Sequence, residues 1–402
     1  MTDLLTLDDL DLGSLDGTRV FVRVDFNVPL SSTGEVVDAT RLEEALPTIR
    51  ELTAAGAKLL LASHHGRPKD GPDPRYSLRP VAAKLSELLG QPVRFATDCV
   101  GEEADKVASA LKRGEVVLLE NLRFHAGETK NDPAFADQLA ALAEVYVDDA
   151  FGSAHRAHAS VVGVPERLPR KAAGRLLARE VEALGRLLGE PERPFAALLG
   201  GAKIEGKIDT LENLLPRLDL LLLGGGMANT FLVAQGNDLA GSLYEPDRVD
   251  LARDILERAK SRGIEVLLPT DLVVTDDLNN PQRVETVAVD QVPAGTKAVD
   301  VGPATREAFA AAIGRARTLF WNGPLGVFEK PPFDAGTRAV AQALESCSGF
   351  SVIGGGETVA AAHQAGATDR IGHVSTGGGA SLEFLAGKEL PGVTVLRKGG
   401  AR

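Results

Sequence analysis

Short apolar runs alternate along this chain with longer segments in which apolar residues recur every three or four positions. In the first half the runs are Arg19 to Val24, Lys58 to Ala62, Val116 to Leu119 and Val145 to Val147, short and largely β-branched or leucine-rich, as buried strands are. Arg41 to Ala55, Leu78 to Leu89 and Pro133 to Ala143 carry the helical period instead. The second half repeats the design, with strands predicted at Phe195 to Leu199, Leu220 to Leu223, Thr318 to Trp321, Phe350 to Ile353 and Ile371 to Thr376. Strand alternating with helix predicts a parallel sheet with helices on both faces. Between the halves, Leu177, Val181, Leu184 and Leu188 recur at i, i+4, i+7 and i+11. With Pro169 near the start and Gly189 and Pro191 as the stop, this predicts a helix of about five turns. A last apolar run, Gly392 to Leu396, is too short for a domain and is expected to pack back on one of the two halves.

At 402 residues the chain exceeds the size at which one core stops growing. The expectation is α/β with two doubly wound, Rossmann-like parallel-sheet domains. They cover residues 1–168 (with a tail at about 388–402) and 190–387, with 169–189 as an interdomain helix. A net charge of −12 argues against a general nucleic-acid binder. The two cysteines, Cys99 and Cys347, lie far apart without metal-ligand spacing, which predicts a reduced protein without a disulfide framework. The acidic start of the chain lacks a signal-peptide pattern, and no apolar run has bilayer-spanning length, so a cytoplasmic protein without a membrane partner is expected. The acidic charge and the lack of apolar surface runs predict a monomer.

Each strand of the first half runs into a polar segment. The four are Asp25 to Pro29, Ser63-His64-His65-Gly66-Arg67-Pro68, Glu120 to His125, and Asp148 to Arg156. In parallel sheets ligands sit beyond the carboxyl ends of the strands. One Arg or His there is ordinarily a solvated charge or a structural imidazole. Repetition at successive strand ends points instead to convergence of His64, Arg67, Arg123, His155 and Arg156, with Arg41, on one face. Arginine suits bidentate contact with carboxylate and phosphate, so the ligand read here is small and multiply anionic. His64-His65 has no His or Cys partner at helical spacing and basic neighbours, which argues against a metal. Asp148-Asp149 has the chemistry for Mg²⁺, but at the end of a buried strand a carboxylate more often caps a turn or orients an arginine.

In the second half, Gly201 to Lys207 matches the start of a P-loop, G-x-x-x-x-G-K, but Ile208 stands where Ser or Thr is needed. What survives is a strand followed by glycines and two lysines a helical turn apart, Lys203 and Lys207, able to face a chain of phosphates. Glycine triplets follow three further strands at 224–226, 354–356 and 377–379. None completes G-x-G-x-x-G, because Asn229, Val359 and Leu382 hold the last position. Placed after strands and before helices, they predict backbone amides brought close to phosphates.

Taken together these motifs resemble the phosphoglycerate kinase family. The resembling segments are Arg23 to Pro29, Ser63 to Pro68, Glu120 to Phe124, Asp149 to Gly152 with Ala154 to His158, Gly200 to Lys203 with Lys207, Gly224 to Ala228, Trp321 to Glu329 and Ser375 to Glu383, in the family's order. The resemblance implies two domains facing a cleft, joined by a hinge helix, with reversible phosphoryl transfer between 1,3-bisphosphoglycerate and ADP giving 3-phosphoglycerate and ATP. It implies that Asp25, Phe26, Asn27, Arg41, His64, Gly66, Arg67, Arg123 and Arg156 hold the substrate. Gly200, Gly201, Lys207, Gly225, Asn322, Pro324, Glu329, Gly355, Gly356, Glu357 and Thr358 would hold ATP or ADP, with Glu357 as the Mg²⁺ ligand. Arg41, Lys203, Gly378 and Gly379 would act on the group in flight. Two positions depart from the family's pattern: Glu357, where Asp is common, and Gly206, where Asp also often stands. Glu keeps the hard oxygen that Mg²⁺ takes. The enzyme rival, a P-loop NTPase, is opposed by Ile208. The non-enzyme rival, a two-domain binder of a phosphorylated metabolite, leaves the glycine-rich loops without a role.

Overall fold

The computed structural model describes residues 3–69, 71–367 and 370–399. The chain divides into two compact units, Met1–Glu182 with Glu389–Arg402, and Ala183–Lys388.

The first unit is built on six strands: β1 (Arg19–Val24), β2 (Lys58–Ala62), β3 (Val93–Phe95), β4 (Val116–Leu118), β5 (Val145–Asp149) and β6 (Arg170–Ala173). They form one parallel sheet in the order β3-β4-β2-β1-β5-β6. Val22 pairs with Leu61 on one side and Val147 on the other, so the central strand is buried on both faces, as its unbroken apolar run requires. One face packs Val20, Val22, Leu59 and Leu61 against Ile49 and Leu52 of the helix Thr40–Ala54 and Val81 and Leu85 of Arg79–Leu89. From β1 the chain winds first toward β2 and later returns to β5 on the other side. The β1/β5 boundary is therefore the topological switch point, where loops diverge and leave room for a ligand.

The second unit contains β7 (Phe195–Leu199), β8 (Leu220–Leu223), β9 (Glu265–Leu267), β10 (Asp271–Thr275), β11 (Val284–Ala288), β12 (Lys297–Val301), β13 (Thr318–Asn322), β14 (Phe350–Gly354) and β15 (His373–Val374). Six of these make a parallel sheet, β15-β14-β13-β7-β8-β9, whose switch point lies between β7 and β13. Its core gathers Leu198, Leu222, Trp321 and Ile353 with Phe309 and Ile313. The remaining three form an antiparallel sheet, β11-β10-β12, which the sequence reading did not anticipate. β11 alternates exposed and half-buried residues and offers no continuous apolar run to detect.

The expected helix from Pro169 is corrected. Residues Arg170–Ala173 are strand β6, paired with β5, and the helix is Arg175–Leu188, about four turns long. Asp149 sets its start: Oδ1 accepts the amides of Leu176 at 2.8 Å and Leu177 at 3.2 Å, donors that a helix's first turn leaves without intrahelical partners. Gly174 lets the chain pass that carboxylate, because a Cβ there would collide with it. Asp148 serves its own turn, Oδ1 accepting from Ala150 N at 2.9 Å. Both acids are thus caps.

From Glu389 the chain returns to the first unit. Gly392 N donates to the Ala154 carbonyl at 2.9 Å and Leu5 N to the Leu396 carbonyl at 2.9 Å. Residues 400–402 of the expected tail lie outside the described residues. Among the described residues no helix is long and apolar enough to cross a membrane.

Candidate functional site

In the first unit, the loops leaving β1, β2, β4 and β5 carry the predicted residues to neighbouring strand ends. Arg41, at the head of the helix Thr40–Ala54, pairs with Asp25 just after β1. Asn27 Oδ1 accepts the Gly66 amide at 2.9 Å, and Arg123 Nη1 donates to the Gly66 carbonyl at 2.7 Å, so loops from three strands are tied at one glycine. Gly66 has φ +60°, and a Cβ there would strike the Tyr76 ring. Asn121 braces the same junction: its Oδ1 takes the amides of His65 and Arg123, and its Nδ2 donates to the His65 and Tyr76 carbonyls. Arg67, Arg123 and Arg156 line one cavity of about 480 Å³ with His125 and His158. Arg67 is exposed and has no hydrogen bond or ion pair among the described residues.

Burial and the crowding of cations shift Arg123, His64 and Asp25. Burial and the guanidiniums of Arg156 and Arg23 pull Arg123 down to about 10. Burial pushes His64 well below its ordinary range, and Arg23, Arg123 and Arg41 act in the same sense against Asp25. Burial raises Asp25, but the guanidiniums of Arg41 and Arg23 outweigh it and hold the carboxyl below its ordinary value. The result is an ionised acid among arginines, a surface built to receive negative charge.

Phe26 departs from expectation. Its side chain is buried in the core, its amide donates to Ser63 Oγ at 2.9 Å and its carbonyl accepts from Val28, so the side chain packs inward and holds the loop. Conversely, Arg23 escaped the sequence reading as a site residue. It is fully buried beside His64, a place for guanidinium that β1's apolar run gives no reason to expect. Asp98, Cys99 and His125 also bring donor atoms within 4.8 Å of one another, a proximity that sequence spacing does not show. His125 Nε2 meets Asp98 Oδ1 directly at 2.6 Å.

In the second unit the loops after β7 and β13 meet at the switch point. Gly201, Gly225, Pro324, Glu329 and Glu357 share a cavity of about 590 Å³. The glycines there act mainly by permitting close backbone approach. The amides of Gly200 and Gly201 donate to the Asn322 and Pro324 carbonyls at 2.9 and 2.7 Å, and Gly225 N donates to Leu325 at 3.1 Å. Those amides are therefore occupied, and for Gly225 this departs from the expectation that the glycine triplets bring amides close to phosphates. A Cβ at Gly200 would fall on the Pro324 carbonyl, and one at Gly225 would lie 2.6 Å from the Gly201 carbonyl. Asn322 and Thr358 are buried ties: Asn322 Nδ2 donates to the Gly354 carbonyl at 2.7 Å, and Thr358 Oγ1 accepts the Gly323 amide at 2.6 Å.

The two lysines differ sharply. Lys203 is exposed and has no hydrogen bond or ion pair among the described residues. Lys207 is tucked under the glycine loops, and burial brings its pKa down to about 8 against the opposing pull of Glu357. Glu357, exposed in the first turn of the helix Gly356–Gln364, lines the cavity wall and has no hydrogen bond or ion pair of its carboxylate among the described residues. Gly355 precedes that helix with φ +94°, and Gly378 precedes the helix Gly379–Leu385 with φ +54°.

Comparison with known proteins gives a consistent result. The sequence model of a family described as "Phosphoglycerate kinase" matches residues 7–388. The phosphoglycerate kinase of Desulforudis audaxviator is 54% identical over 392 residues, covering 98% of each chain. That of Thermus thermophilus is 55% identical over 393 residues, covering 97% of this chain and 99% of its own. The solved structure of phosphoglycerate kinase from Coxiella burnetii superposes with a TM-score of 0.89 at 40% identity, covering 98% of both chains. The crystal structure of the Pyrococcus horikoshii enzyme gives 0.83 at 34% identity, again over 98% of both.

Proposed function

Because the chain belongs to the phosphoglycerate kinase family, we propose that its first unit binds 3-phosphoglycerate, its second binds Mg·ATP or Mg·ADP, and the phosphoryl group passes reversibly between them. The observation that carries the substrate half is the set Arg67, Arg123 and Arg156 on one cavity beside the Arg41–Asp25 pair. A small molecule with a carboxylate and a phosphate matches three guanidinium forks. Asp25, held ionised, orients Arg41 and is left to accept from a substrate hydroxyl.

In the direction of ATP consumption the attacking group is the substrate carboxylate, already ionised at neutral pH, so no general base is required. The new O–P bond forms at that oxygen while the bond from the γ-phosphorus to the β,γ-bridging oxygen breaks, and ADP leaves with the electron pair. Such a reaction asks for positioning and charge neutralisation. Lys203, exposed beyond β7 and without a hydrogen bond or ion pair among the described residues, is assigned to the phosphoryl group in flight, with Arg41 on the substrate side. Gly378 and Gly379 open a helix whose first amides have no intrahelical acceptor, which supports a role toward the same oxygens. Gly201, Gly225, Pro324 and Glu329 are assigned to the nucleotide, with Lys207 toward its phosphates. Gly200, Asn322 and Thr358 act there by shaping the loops.

Glu357 fits a divalent cation: a hard, exposed carboxylate on the cavity wall. Mg²⁺ held there with the nucleotide would screen the charge of the phosphate oxygens. Arg175–Leu188, within which one unit ends and the other begins, is assigned as the hinge element. Cys99 and Cys347 are both free, which supports a reducing, cytoplasmic setting. Among the described residues the exposed large apolar side chains are Val37, Leu243 and Val284, which supports a monomer. Calorimetric titration tests the ligand assignments. Replacing Arg156 with Met should weaken 3-phosphoglycerate and spare Mg·ADP, and Glu357→Gln should do the reverse; a protein that binds neither ligand would overturn the reading.

A further inference from the structure

At the carboxyl end of β1, Arg23 is fully buried and each of its nitrogens is committed. Nε donates to Ser160 Oγ at 2.9 Å, Nη1 to the Val24 carbonyl, and Nη2 reaches Ser153 Oγ at 3.3 Å and His64 Nδ1 at 3.2 Å. Ser160 is fixed in turn by Glu128, also fully buried: its hydroxyl donates to Oε1 at 2.7 Å and its amide to Oε2 at 3.0 Å. Glu128, Ser160, Arg23 and His64 therefore form one continuous chain of charge-assisted bonds.

The direction of the last bond follows from chemistry alone. A guanidinium has five N–H donors and no acceptor, so the ring nitrogen that faces it must supply the lone pair. An imidazolium would set one N–H against another, and so would the neutral tautomer protonated on Nδ1. The remaining form is neutral imidazole with its proton on Nε2. The charged groups around the ring agree, since Arg23, Arg41 and Arg123 oppose protonation and only Asp25 favours it.

We infer that Arg23, anchored through Ser160 to Glu128, is a positioning residue that locks His64 as the Nε2–H tautomer, so that His64 offers the site's anionic ligand a neutral N–H donor and leaves the positive charge to the arginines. The lock concerns the free protein; only the identity of the anion rests on the substrate proposed above.

The test is a two-bond ¹H–¹⁵N correlation spectrum of the histidine rings in the intact, uniformly labelled protein, with the His64 signals assigned by their loss in His64→Gln. The expected pattern is a pyridine-type Nδ1 and a pyrrole-type Nε2, constant between about pH 6 and pH 8. An imidazolium pattern at pH 7, or a pyrrole-type Nδ1, would overturn the inference. In Ser160→Ala, which removes the Nε anchor and little volume, the two nitrogens should average toward each other. The KM for 3-phosphoglycerate should rise about tenfold while the KM for ATP stays put. A sharp, unaltered His64 pattern with unaltered KM would overturn the anchoring role of Ser160. The expected wild-type pattern in a protein that does not bind 3-phosphoglycerate would support the lock and overturn the substrate assignment instead.

Discussion

The ammonium of Lys207 donates to the carbonyl of Gly200 at 2.5 Å, and to that of Asn322 at 3.2 Å, so one half-buried side chain joins the loops on either side of the β7/β13 switch point. Lys203, four residues earlier, makes no such bond among the described residues. Replacement with Met should therefore separate the two. Lys207→Met takes the donor from the Gly200 carbonyl and one of two donors from the Asn322 carbonyl, and is expected to lower the unfolding free energy by about 1–3 kcal/mol. Lys203→Met should change it by less than about 0.5 kcal/mol. Urea denaturation of both variants checks this, and equal losses would contradict the distinction.

Lys207 also sets a pH dependence with two opposite signs. Its folded pKa of about 8 lies below the ordinary 10.5, so between those values the unfolded chain binds the proton more tightly and stability rises with pH. Over the same interval the ammonium needed for nucleotide phosphates is lost. The KM for ATP should therefore climb as pH passes about 8 while the denaturation midpoint does not fall. A KM that stays flat to about pH 9 would remove Lys207 from phosphate binding.

Asp149 gives a prediction of different sign. Burial raises its carboxyl to about 7, against the bonds from Thr48, Leu177 and Leu176 that favour the ionised form. An acid whose folded value exceeds its unfolded one binds more protons when folded, so its contribution to stability falls as pH rises from about 4 to about 7. Asp148, raised to about 6 by burial, adds to the same slope. Asp149→Asn keeps an acceptor for the helix start and should flatten the slope without abolishing it. Unfolding free energies at pH 5 and pH 7.5 in the two proteins decide the matter, and an unchanged slope would contradict it.

Glu357 carries the metal assignment. Glu357→Gln removes the charge while keeping the size of the side chain, and the Mg²⁺ concentration for half-maximal activity should rise about tenfold or more. The KM for 3-phosphoglycerate should not move. Parallel Mg²⁺ titrations of the two proteins measure this; superimposable curves would place the cation elsewhere.

Much of this was legible in the sequence because parallel sheets write themselves as unbroken apolar runs, and because such sheets put functional residues directly after those runs. Arg67, Arg123 and Arg156 could be assigned to one face on that logic, and they line one cavity. What stayed hidden was local competition between elements. Arg170–Ala173 reads as the lead-in to a helix, yet pairing with β5 and the Asp149 cap make it a strand followed by a helix. The antiparallel sheet was missed because β11 is half-exposed and offers no continuous run. Glycine-rich turns are ambiguous in sequence: at Gly200 and Gly225 the missing Cβ admits a neighbouring backbone, and the amides are already bonded. A buried arginine such as Arg23 is likewise invisible, since its function lies in partners over a hundred residues away, at Ser153 and Ser160.

The central claim is phosphoryl transfer between a nucleotide and a carboxylate with Lys203 on the moving group, and one assay tests it most directly. The purified protein is given 3-phosphoglycerate and Mg·ATP, and 1,3-bisphosphoglycerate is read as NADH oxidation by added glyceraldehyde-3-phosphate dehydrogenase. The expected result is sustained turnover that falls by about 10²-fold or more in Lys203→Ala, with the denaturation midpoint unchanged. Near-normal turnover in that variant, or none in the folded parent protein, would contradict the account.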